Sequence, residues 1–137
     1  MVIAITLGIV LASILFMRRI ARMTRLVELN RSNDKTLVLR VNGPLFFAAA
    51  EKTFVELYKK INGYEHIVLQ WDAVPILDAG GLNALIHFID ELPEHVDLSI
   101  CELQFQPLKT LARAKIVPIP NKLMFFSTLD EALKDKE

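Results

Sequence analysis

From Thr36 onward the spacing of apolar residues switches back and forth between a period of two and one near 3.6, and no other feature constrains the fold as much. TLVLRV (36–41) alternates and is β-branched, as a strand is. Phe47, Ala50, Phe54, Leu57, Tyr58 and Ile61 then recur at threes and fours, while Glu51, Lys52, Glu56, Lys59 and Lys60 face away. That predicts an amphipathic helix over 48–61, stopped by Asn62-Gly63. HIVLQW (66–71) is almost continuously apolar, the mark of a strand covered on both faces. A second helix gathers Leu82, Leu85, Ile86, Ile89 and Leu92 on one side and ends at Pro93. DLSICEL (97–103) reads as a strand and 107–115 as a short helix with Leu108, Leu111 and Ala112 inward. Residues 123–126 form a last strand, and Ser127 caps a terminal helix through Leu133. Repeated β-α units imply a largely parallel sheet with right-handed crossovers.

The preceding segment adds a different edge. LVEL (26–29) and 36–41 flank the polar turn NRSNDK (30–35), a hairpin pattern. Asn42-Gly43-Pro44 makes a second turn, and LFF (45–47) reads as a short third strand. The expected order is β-β-β-α-β-α-β-α-β-α. This is an α/β fold with a mixed sheet, mainly parallel with an antiparallel edge hairpin, flanked by about four helices.

Met1 to Met17 carries no charge, and Arg18, Arg19, Arg22 and Arg25 follow at once. Seventeen helical residues rise about 25 Å, just short of the roughly 30 Å hydrocarbon core of a bilayer. Positive charge beside such a segment marks the cytoplasmic side. A signal peptide would place its charges before the apolar core. The segment therefore reads as the end of a transmembrane helix, cut within a longer polypeptide, or as a signal anchor. Residues 1–25 form this helix end with its basic flank, and residues 26–137 a separate domain on the cytoplasmic side.

The formal net charge of zero hides an imbalance, because residues 26–137 hold twelve Lys or Arg against sixteen Asp or Glu. An acidic domain is a poor match for nucleic acid. One cysteine, Cys101, excludes an intrachain disulfide, and in its strand it reads as a small buried hydrophobe. His66, His87 and His95 have no spacing suited to a metal. Asp90 and Glu91 are adjacent on a helix and do not share a face. No nucleophile elbow, phosphate loop or dinucleotide fingerprint occurs. We expect no catalytic residue, metal or cofactor.

Two stretches resemble a known family. Val41 to Glu51, VNGPLFFAAAE, is similar to the Gly-Pro-Leu-Phe-Phe-Ala-x-Ala-Glu stretch of the SulP transporter branch of STAS domains. Val74 to Leu85, VPILDAGGLNAL, resembles the STAS strand-loop-helix signature, in which an Asp, two small residues and Gly-Leu open a helix. STAS domains occur in sulfate transporters and in anti-sigma factor antagonists. Within the SulP family the likeness is strongest to enterobacterial C4-dicarboxylic acid transporters. The resemblance implies a cytoplasmic regulatory or protein-interaction domain of a secondary anion transporter in a bacterial inner membrane, carrying sulfate, bicarbonate or a C4-dicarboxylate such as succinate. The transporter's own membrane domain would be one partner, and a transporter oligomer another context. The alternative is a membrane-tethered signalling module like the anti-sigma antagonists. There the serine before Gly-Leu is phosphorylated; here that position is Gly80, preceded by Ala79.

Two groups of residues are candidate sites. Asp78 suits an N-cap, and with Ala79, Gly80 and Gly81 it leaves a helix N-terminus that could face an anion, or that simply caps and packs. Lys109, Arg113, Lys115 and Lys122 make a basic patch in an otherwise acidic domain. They read as a solvated helix face or as a docking surface for an acidic cytosolic protein or anionic lipid. Exposed Phe or Leu beside them would favour the protein.

Overall fold

The computed structural model describes residues 2–22 and 24–136, with the side chains of 17–22 and of Phe47 left aside. Helix α1 (Val2–Arg22) precedes a five-stranded sheet of β1 (Arg25–Glu28), β2 (Thr36–Asn42), β3 (His66–Ala73), β4 (Asp97–Cys101) and β5 (Leu123–Phe126). Helices α2 (Phe47–Lys60), α3 (Ala79–Glu91), α4 (Phe105–Arg113) and α5 (Leu129–Asp135) alternate with them. The strands lie side by side in chain order. β1 runs antiparallel to β2, and every later pair is parallel. Each parallel step is bridged by a helix, as parallel strands require.

Two cores result, because successive side chains of a strand point to opposite faces. Leu37, Leu39, Val41, Ile67, Leu69, Trp71, Leu98 and Ile100 pack with Leu57, Leu85 and Leu111 from α2, α3 and α4. Val38, Val68 and Cys101 point the other way, where Ala132, Leu129 and Leu133 of α5 cover them. The hairpin turn is polar for a reason. Asn33 Oδ1 accepts from the main-chain N–H groups of Lys35 and Thr36, each at 2.9 Å, and Ser32 Oγ accepts from Val38 N–H at 2.9 Å.

Several expectations change. LFF is no third strand: Leu45 makes one bridge to Leu77, and helix α2 already begins at Phe47. Strand β4 stops at Cys101 because Glu102 turns to φ 58°. Helix α4 starts earlier than expected and is rotated. Pro107 and Leu111 are its buried residues, whereas Leu108 and Ala112 face outward. Pro107 lies in the first turn, where its missing N–H leaves no helical bond unmade. The cap of α5 is Thr128, which accepts from Glu131 N–H, and not Ser127. Tyr58 is half-exposed, and the inward placement expected of Phe47 lies outside the described residues.

Helix α1 forms where the apolar run predicts it, with Ile3, Ile5, Leu7, Ile9, Leu15 and Phe16 exposed. Among the described residues no helix is long and apolar enough to cross a membrane. The side chains of Arg18, Arg19 and Arg22 lie outside the described residues. Thr24 is buried, and its hydroxyl donates to the Pro44 carbonyl.

One edge of the sheet is blunted. Ile119 and Leu123 exchange main-chain hydrogen bonds of 2.8 and 2.9 Å across a tight turn, so the outward N–H and C=O of Leu123 are already taken.

Candidate functional site

The signature loop lies between a strand fragment and helix α4. Leu45 N–H donates to Ile76 C=O at 2.8 Å, and Asp78 N–H returns a bond to Leu45 C=O at 3.3 Å. Asp78 is the extended N-cap of α3, and its Oδ1 accepts from Gly81 N–H at 2.7 Å. This satisfies one of the amides that a helix start leaves free. It also places a carboxylate of the chain's own at the positive end of the helix. Ala79 and Gly80 are exposed, but Gly81 is buried. A Cβ on Gly81 would overlap the Leu45 carbonyl oxygen and lie 2.8 Å from Leu77 Cδ1. The two glycines therefore do different work. Gly81 lets the helix start press against the Leu45 main chain, and Gly80 faces out.

On its other side the loop is held by side chains of α4. The Gln106 amide accepts from Leu77 N–H at 2.8 Å and donates to Leu77 C=O at 3.2 Å. Thr110 Oγ1 donates to the same carbonyl at 3.1 Å, and Gln104 donates to Asp72 C=O at 2.7 Å. Sequence reasoning passed over this clamp, since glutamines on a polar helix face carry no distinctive pattern.

The outward face of α4 carries Phe105, Leu108, Lys109, Ala112 and Arg113, all exposed. Phe105 is 77% exposed and Leu108 51%, far more than an ordinary core-facing pair. Lys109 Nζ sits 5.8 Å from the centre of the Phe105 ring, within cation-π range. Lys109 and Arg113 share this face. Lys115 is exposed just past the helix, in the left-handed region at φ 59°. Lys122 is half-buried at the start of β5, off the helix.

Several other titratable groups are paired. His66 Nδ1 lies 2.7 Å from Asp97 Oδ2, and Lys136 Nζ reaches Asp97 Oδ1 at 3.1 Å, so strand starts and terminal helix are tied together. His87 is exposed and pairs with Glu91 one turn on. Arg40 grips Asp72 with two bonds of 2.8 and 3.0 Å, which raises its pKa. Burial, followed by the nearby Glu102 and Asp72 carboxylates, pushes the Cys101 thiol up to about 12, leaving it protonated and inert at neutral pH. A cleft of about 270 Å³ opens between α2 and α3 over Phe54, Tyr58 and Phe88.

Residues 29–132 match the family model of the STAS domain. The chain belongs to the STAS domain family. Solved structures agree on the fold. The unphosphorylated anti-sigma factor antagonist SpoIIAA matches 82% of this chain over 96% of its own, at 16% identity and a TM-score of 0.58. A sulfate transporter family protein from Wolinella succinogenes matches 73% of this chain and 83% of its own, at 21% identity and a TM-score of 0.60. The murine Solute Carrier 26 family member A9 anion transporter, in its inward-facing state, matches 96% of this chain at 13% identity and a TM-score of 0.69. The present chain spans 25% of that transporter. No curated protein matches in sequence. The STAS architecture is thus common to stand-alone antagonists and to transporter-linked domains.

Proposed function

We propose that this STAS domain is the regulatory, protein-docking part of a SulP-type secondary anion transporter in a bacterial inner membrane. In this reading α1 is the end of a last membrane helix, and residues 26–137 lie on the cytoplasmic side, in contact with the transporter's own membrane domain. The domain binds and does not catalyse. Substrate, whether sulfate, bicarbonate or a C4-dicarboxylate such as succinate, is handled in the membrane part, near the bilayer midplane. The apolar, exposed run of α1 supports the placement. The Gly80 position supports a transporter-linked domain over a phospho-switched antagonist, since neither it nor Ala79 carries a hydroxyl.

The observation that carries docking is the exposed pair Phe105 and Leu108 beside Lys109 and Arg113. Apolar anchors ringed by charge are the anatomy of a protein interface. The matching partner is an acidic protein surface with an apolar centre. Anionic lipid would use the cations, Lys115 and Lys122 included, but gains less from the aromatic ring. The Asp78–Gly81 turn serves as a capped, packed helix start flanking that surface, where Asp78 competes with any external anion.

The test compares native protein with the double charge reversal Lys109→Glu, Arg113→Glu and with Phe105→Ala. Capture of an acidic protein from cytosol, identified by mass spectrometry, is lost in both variants while melting temperatures hold. Equal capture by all three forms would leave α4 a solvated face. Loss only in the charge reversal, matched by lost binding to anionic vesicles, would favour lipid.

A further inference from the structure

We propose that Gln106 couples the outer face of α4 to the N-terminal turn of α3, so that a load on one is felt at the other. Leu77 sits between two neighbours that complete its main-chain bonding. The Leu45 segment takes the groups of Ile76 and Asp78 on one side. On the other side, where a sheet would supply another strand, the Gln106 side-chain amide meets both the N–H and the C=O of Leu77. Main-chain groups of this kind are costly to leave unpaired, and Leu77 is fully buried. Gln106 itself is exposed, so the bond is held from outside the core.

The chemistry needs an amide at this position. One end must accept and the other must donate, which a carboxylate cannot do. Thr110 shares the carbonyl of Leu77 and also accepts from Gln106 Nε2 at 3.1 Å, so the two side chains act together. One residue further on, Asp78 caps α3, and Gly81 presses on Leu45. Apart from these bonds and that of its N-cap Gln104 to Asp72 C=O, α4 is anchored by two buried side chains, Pro107 and Leu111. A lightly anchored helix joined by specific hydrogen bonds to a tightly packed turn transmits displacement in both directions, and equilibrium coupling is reciprocal. Its biological use rests on α4 being a docking face. The coupling itself is measured without a partner, so the two ideas fail separately.

The experiment is hydrogen exchange on the full chain, reading residues 77–82, 105–114 and, as reference, β3. Gln106→Ala and Gln106→Glu are expected to speed exchange at 77–82 by roughly fivefold or more, with β3 unchanged. The reverse arm is Asp78→Ala, which removes the α3 cap and is expected to speed exchange across α4 by a similar factor. Faster exchange confined to α4 in the Gln106 variants, or an α4 that ignores Asp78→Ala, would overturn the proposal. If a Gln106 variant loosens β3 equally, the reading passes to Thr110→Val, which keeps shape and removes one donor to Leu77. No local rise at 77–82 in that variant overturns it too.

Discussion

The main-chain oxygen of Leu45 occupies the space that a side chain on Gly81 would need. The contact joins the Gly-Pro-Leu stretch and the signature loop, which lie far apart in sequence. It explains why a glycine opens α3 at that point, although helices disfavour the residue.

Gly81→Ala should therefore destabilise the domain by about 2 kcal/mol or more, because the obstruction is backbone and cannot rotate away. Gly80→Ala, one residue earlier and exposed, should instead stabilise by about 0.5 kcal/mol through the lost flexibility of glycine. Urea unfolding of both variants checks the opposite signs. Equal effects would mean that the Leu45 approach is not what sets the residue.

Lys115→Gly is expected to stabilise by about 1 kcal/mol. Lys115 ends α4 in a left-handed conformation, φ 59°, that glycine adopts freely. Because it also removes a charge of the basic patch, the variant separates stability from docking. A thermal melt should rise. A melt that falls would show that the lysine side chain pays back its strain elsewhere.

Cys101 gives a pH prediction. Its folded pKa of about 12 stands above the ordinary 9.0, so ionisation is favoured in the unfolded chain first. A raised pKa contributes stability below 9 that is lost as pH climbs toward 12. The slope attributable to this thiol is at most about 1.4 kcal/mol per pH unit. Unfolding free energy measured from pH 8 to 11 should fall more steeply in the native protein than in Cys101→Ala. Parallel curves would contradict the burial of the thiol. At pH 8 the folded protein should also resist alkylation.

A chain that begins at Thr24 should fold, and one that begins at Leu26 should be less stable by about 1–2 kcal/mol. The shorter form lacks the Thr24 bond to Pro44 and the pairing of Arg25 with Asn42. Denaturant midpoints of the two forms decide it, and coincident midpoints would place the start of the fold later.

Much of this architecture was legible because periodicity reports which face is buried. The β1–β2 hairpin, the parallel order and helices α2 and α3 all follow from it. The errors have local causes. Leu45-Phe46-Phe47 looks like a strand by composition, yet one bridging residue is all the turn after Gly43 leaves before α2 begins. In α4 the apolar residues Phe105, Leu108 and Leu111 do not share one face, and only Leu111 points inward. The pattern alone could not say which of them the core would accept, and the exposed remainder is what makes the helix a candidate surface. His66 and Asp97 start different strands, so their pairing depends on a parallel register that no spacing in the chain encodes.

The turn that folds Ile119 back on Leu123 has a consequence for assembly. A sheet grows by offering free main-chain groups at its rim, and at Leu123 the chain has already filled that place with itself. The far rim is β1, whose first residue stands three positions after the end of α1. A further copy therefore cannot pair at Leu123, while β1 at the far rim keeps three of its four residues exposed. Strand addition at the β5 rim would have to begin beyond Leu123, and the turn acts against it there.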